Sequence, residues 1–169
     1  MTAQSERNAF LDRFSPEVAA VARTTLRKLR KRLPTAIELV YDNYNALAIG
    51  FSPTERASDG VLSVALYPRW VSLFFLRGAS LADPEGLLRG SGKVVRHIVL
   101  EDGSSVDDPG IAALIDAAIA ASPRAFPSSG PHRIVIKSVS AKQRPRRPAK
   151  KRAPAPQRRS RALSASKTD

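Results

Sequence analysis

The sequence predicts an α+β fold, with an antiparallel sheet of about five or six strands packed against an N-terminal and a C-terminal helix, and a disordered basic tail behind it. Three observations lead there. An amphipathic helical pattern runs from Ser15 to Leu33, strand-like runs follow in hairpin pairs, and the composition changes abruptly after Ala141. A chain of 169 residues with 43% hydrophobic residues is most simply one domain with a real core. The boundaries expected from these signals are a flexible N-terminus over 1–13, the domain over 14–140 and the tail over 141–169.

Each element has a local cause. In "SPEVAAVARTTLRKLRKRL", Ser15 caps a helix and Pro16 suits its first position. Val18, Ala22, Leu26, Leu29 and Leu33 form one apolar stripe, Arg23, Arg27, Lys28, Arg30, Lys31 and Arg32 share the other face, and Pro34 stops the helix. "AIELVY" and "ALAIGF" flank the turn residues "DNYN", and "VLSVALY" and "VSLFFL" flank "PRW"; both read as hairpins. Asp42 and its neighbours Tyr41, Asn43, Tyr44 and Asn45 are read here as turn chemistry rather than as a cleft lining. The third and fourth runs are apolar on both sides, so helices or a helix and a long loop are expected to cover the sheet. "ADPEGLL" suggests one helical turn capped by Asp83, and "VRHIVLE" a fifth strand. "DDPGIAALIDAAIAAS" is a second helix with Asp108 as cap and Pro109 at its first position. "RIVIKSV", residues 133–139, is a short strand suited to the sheet edge.

The formal net charge of +13 is unevenly placed. From Ala141 to Asp169 there are eleven Lys/Arg and one acid, whereas the first 140 residues carry seventeen and fourteen. The tail "KQRPRRPAKKRAPAPQRRSRALSASKTD" has Leu163 as its one large apolar residue, so it cannot bury enough surface to offset the entropy of ordering. A flexible polycation of this kind binds polyanions, and Arg144, Arg146, Arg147, Lys150, Lys151, Arg152, Arg158, Arg159 and Arg161 are its candidate phosphate contacts.

The stretch "LLRGSGKVVRHI", Leu87 to Ile98, looks at first like a phosphate-binding loop. A P-loop needs a glycine five residues before Gly92, where Leu87 stands, and a hydroxyl after Lys93, where Val94 stands. It also needs a preceding strand and a following helix; a strand follows instead. Two readings remain. Gly90, Ser91 and Gly92 with Lys93 and Arg96 can hold an anion on backbone N–H groups and two cations. Alternatively the stretch is a glycine turn feeding a strand, with both cations in solvent, which is the simpler account.

Taken in order, "LPTAIELVYDNYNALAIGF", "LSVALYPRWVSLFFL" and "LLRGSGKVVRHIVLE", followed by a capped helix, resemble the YdhG-like domain, a bacterial domain of unknown function. The likeness covers about residues 14–121 and implies a compact α+β fold with an antiparallel sheet and flanking helices. Some relatives are described as frataxin-like iron chaperones, so the resemblance also implies a metal-carrying alternative. Such a role calls for an acidic surface, whereas the first helix carries Glu17 against its six cations. Glu101, Asp102, Asp107 and Asp108 in "EDGSSVDD" have the oxygens for a hard cation, but a solvated loop and a helix cap explain them more simply.

Catalytic signatures are missing. There is no cysteine, His97 and His132 are far apart, and Ser91 is not in a Gly-x-Ser-x-Gly elbow. Tyr67, Arg69 and Trp70 offer an aromatic beside a cation that suits base stacking, or a rim that shields the core. "MTAQSERNAF" does not read as a secretory signal, and "VSLFFL" is too short to span a bilayer, so a cytoplasmic protein with no membrane partner is expected. The sequence thus points to a non-enzymatic binding module without cofactor or metal, associating non-specifically with nucleic acid through its tail. Alternatives are a metal chaperone and a domain for small anionic ligands.

Overall fold

The computed structural model describes residues 1–150. The fold is α+β: three helices lie against one six-stranded sheet. Helix α1 spans Ala3–Asp12 and α2 spans Pro16–Arg32, followed by strands β1 (Ile37–Asp42), β2 (Leu47–Ser52), β3 (Leu62–Leu66), β4 (Val71–Phe75) and β5 (Arg96–Leu100). Helix α3 (Pro109–Ala120) and strand β6 (Arg133–Val139) complete it. The caps act as expected: the Ser15 side chain accepts from Val18 N, the Asp108 carboxylate accepts from Gly110 N and Ile111 N, and α2 and α3 each have proline at their start.

Strand order is β5-β4-β3-β2-β1-β6. Every pair is antiparallel except β1–β6, which is parallel, so the expectation of an all-antiparallel sheet is corrected to a mixed one. Chain parity explains it. Four successive antiparallel steps leave β5 running in the direction of β1. Helix α3 then returns the chain across the sheet, and β6 enters at the far edge in that same direction.

The side chains of the sheet alternate between two unequal faces. Val40, Ile49, Val64, Leu73 and Ile98 lie in register across five strands on one face, and all belong to the core cluster. The α2 stripe Val18, Ala22, Leu26, Leu29 and Leu33 packs there, as do Ile111, Leu114, Ile115 and Ala118 of α3. Fully burying each large apolar side chain is worth about 1.5–3 kcal/mol, so this face holds most of the fold's stability. The opposite face presents Leu39, Gly50, Ser63, Phe74 and His97 in the matching register, and no helix packs on it. Helices therefore cover one side of the sheet, and the loop after β2 reaches the β1–β6 part of the other.

Two boundaries also move. The N-terminus expected to be flexible over 1–13 forms α1, capped by Thr2 and seated through Phe10 and Leu11, which are buried. The tail expected to be disordered from residue 141 instead lies against the domain through Arg147, as described below. The turn expected over 82–88 contains no helix; Asp83 accepts backbone bonds from Leu87 N and Leu88 N instead. No helix among the described residues is long and apolar enough to cross a membrane.

Candidate functional site

Asp42 is the last residue of β1 and points into the core face, 1% exposed. An ionised carboxylate in that position requires partners. Arg146 supplies the main one: its Nη2 donates to Asp42 Oδ1 at 2.8 Å and to Asn43 O at 2.5 Å. Arg13 Nη1 donates to Asp42 Oδ2 at 3.1 Å and to Gln143 Oε1 at 2.8 Å. Arg144 sets its guanidinium over the Tyr44 ring, and Arg147 donates to the carbonyls of Asp12 and Arg13. Arg146, expected as a phosphate contact, is thus a buried structural cation at 6% exposure. Asp42, expected as a turn residue, is its counter-charge. Lys150 is exposed. Lys151, Arg152, Arg158, Arg159 and Arg161 lie outside the described residues.

Four residues earlier on the same face, Glu38 is fully buried. Arg7 Nη1 donates to its Oε2 at 2.5 Å, Arg30 Nη2 donates to its Oε1 at 3.1 Å, and His132 Nε2 stands 3.4 Å from Oε2. Burial opposes ionisation of Glu38, but His132, Arg7 and Arg30 outweigh it and hold the carboxyl below its ordinary range. The remaining cations of α2 are largely engaged in the same way. Arg23 pairs with Asp12, Lys28 with Asp107, and Arg32 with Asp116 at 2.8 Å. The basic helix face that the sequence offers to a polyanion is mostly a set of clasps joining α2 to α1, β1 and α3.

The glycine loop closes on itself. Arg96 Nη1 donates to the carbonyls of Gly92 and Val95, and Arg89 and His97 exchange backbone bonds at 2.9 and 3.0 Å. Gly90 has φ +118°, a conformation that requires glycine there. Gly90, Ser91, Gly92 and Lys93 are exposed, and a strand follows. The loop brings its expected residues together, but its arginine is directed at carbonyl oxygens. In the acidic segment Asp102 accepts from Ser104 Oγ and Ser104 N, bonds that hold its carboxyl below the ordinary range. Asp107 meets Lys28, and Asp108 caps α3. Among the described residues, no three His, Cys, Asp or Glu side chains are grouped to hold a metal ion.

A different feature stands out on the face without helices. Tyr67 and Trp70 flank the Pro68-Arg69 turn, and their rings stack with centroids 4.7 Å apart and planes 17° from parallel. Farther along β4, the Phe74 ring lies 5.2 Å from the His97 ring of β5. Between the two pairs are Ala65 and Ser72, small and buried beneath their neighbours. Trp70 is 44% exposed and Val99 46%. The loop after β2 reaches the β1–β6 side of this face, where Glu55 pairs with Arg133 and its carbonyl accepts from Lys137. The sequence singles out Tyr67, Arg69 and Trp70 but gives no sign of Phe74 and His97 beside them. That grouping depends on strand register.

No protein-family model, no curated protein and no solved structure matches the chain.

Proposed function

We propose that this chain is a YdhG-like domain with a basic C-terminal segment, and that it acts as a non-enzymatic binding module associating with nucleic acid without sequence preference. The observation that supports this most directly is how charge is distributed. Arg7, Arg13, Arg23, Lys28, Arg30, Arg32, Arg124 and Arg133 each meet a carboxylate of the body. Eight of the body's seventeen Lys/Arg are thus paired and its fourteen acids nearly balance the seventeen, so most of the excess positive charge belongs to residues 141–169, where eleven Lys/Arg stand against one acid. Arg146 fixes the root of that segment to the domain. The residues beyond it are the ones left to neutralise phosphates.

A salt series with duplex DNA tests the reading. Engagement of about five or six phosphates gives a slope of log affinity against log salt of about −5. A chain ending at Lys150 keeps the Arg146 anchor and loses most of that slope. Equal affinity for the shortened and full chains, or a flat salt dependence, refutes the reading.

A further inference from the structure

We infer that the β3–β5 half of the helix-free sheet face binds a single-stranded polynucleotide, stacking its bases on Trp70 and Phe74. This rests on the nucleic-acid reading above and assigns it a second contact surface.

The first argument is that these aromatics do not serve the core. Phe75, the next residue along β4 from Phe74, is fully buried in the core cluster, whereas Phe74 and Trp70 lie outside it. Their ring partners are Tyr67 and His97 on the same face, not the core, and large aromatic side chains on a face no helix covers mark a binding surface. The second argument is geometric. Tyr67 backs Trp70 in a near-parallel stack, which holds the indole flat and leaves its other face to a ligand. Phe74 lies four residues along the strand, about 13 Å away, so the two rings can take separate bases. Ser72 and Ala65 between them are small enough for a strand to pass.

The third argument is charge. The sheet positions on this half are Ser63, Ala65, Ser72, Phe74, His97 and Val99, with no carboxylate among them. Arg69 is exposed in the turn beside Trp70, and Arg89 is exposed opposite His97. Both can meet phosphates as the bases stack, which is how sequence-tolerant single-strand surfaces work. Glu101 follows β5 at the Trp70 end and is an unfavourable charge next to this half of the face. A duplex keeps its bases paired inside and cannot use these rings.

Trp70 is the single tryptophan of the chain, so its fluorescence reports on this face alone. The experiment titrates the full chain with a labelled oligothymidylate, following tryptophan emission and label anisotropy together, and repeats the titration with duplex DNA. The expected result is saturable quenching by the single strand and none by the duplex, although both bind. Trp70→Ala lowers single-strand affinity roughly ten-fold, the loss of about one stacked base, and leaves duplex affinity unchanged. Glu101→Gln raises single-strand affinity. Single-strand binding that leaves the emission unaltered overturns the proposal while the C-terminal reading stands. Failure of both strands to bind removes both. A shift from dimer to monomer in sedimentation on Trp70→Ala, without quenching in the parent chain, assigns the face to a second copy instead.

Discussion

Cutting the chain after Ser140 should destabilise the domain, although the residues removed include a single large apolar side chain, Leu163. The cut takes away Arg146, whose guanidinium meets the buried Asp42 carboxylate at 2.8 Å. Removing one partner of a buried ion pair costs about 3–5 kcal/mol, because the remaining charge is left desolvated. Arg13 still reaches the other oxygen of Asp42, but its side chain is 46% exposed and makes a weaker partner. The loss is therefore in the lower part of that range or just beneath it, about 2–3 kcal/mol. At about 3 °C per kcal/mol for a domain of this size, the melting midpoint falls by about 6–9 °C. The assay is thermal unfolding followed by circular dichroism, comparing the full chain, a chain ending at Lys150, one ending at Ser140, and the full-length Arg146→Gln variant. The Lys150 chain should melt with the full chain, and Arg146→Gln should reproduce most of the loss. A Ser140 chain melting within about 1 °C of the full chain would falsify the buried-pair argument and return the boundary to where composition alone puts it.

Two further outcomes follow from the other charged sites. Because the fold holds the Glu38 carboxyl below its ordinary value of 4.5, its contribution to stability is fully present above that value and is lost as pH falls through the lowered one. Urea unfolding across acid pH should show that decline in the parent chain and a shallower one in Glu38→Gln; parallel profiles would contradict it. In the glycine loop, millimolar phosphate should leave the melting midpoint unchanged, because Arg96 is already bonded to carbonyls, and a phosphate-dependent rise abolished by Lys93→Ala would restore the anion-binding account. Gly90→Ala should cost about 1–3 kcal/mol through its positive φ alone.

The elements were legible from the sequence wherever their cause is local. Ser15 with Pro16 and Asp108 with Pro109 announce two helix starts, and the alternation of Leu, Ile and Val with small residues announces the strands. Helix α1 was missed because "AQSERNAFLD" is mostly polar and shows only Phe10 and Leu11 to the core, too weak a periodic signal. The direction of β6 could have been reached by counting reversals, but its place beside β1 could not, because pairing partners are chosen across the whole sheet. The charges were the least legible. Asp42 sits among turn residues and Arg146 among tail residues, separated by 104 positions. Each is costly to bury alone and acceptable only with the other. That dependence is set by where the folded chain brings them, so composition decided the net charge, and only the tertiary structure decided which cations are structural and which remain for a partner.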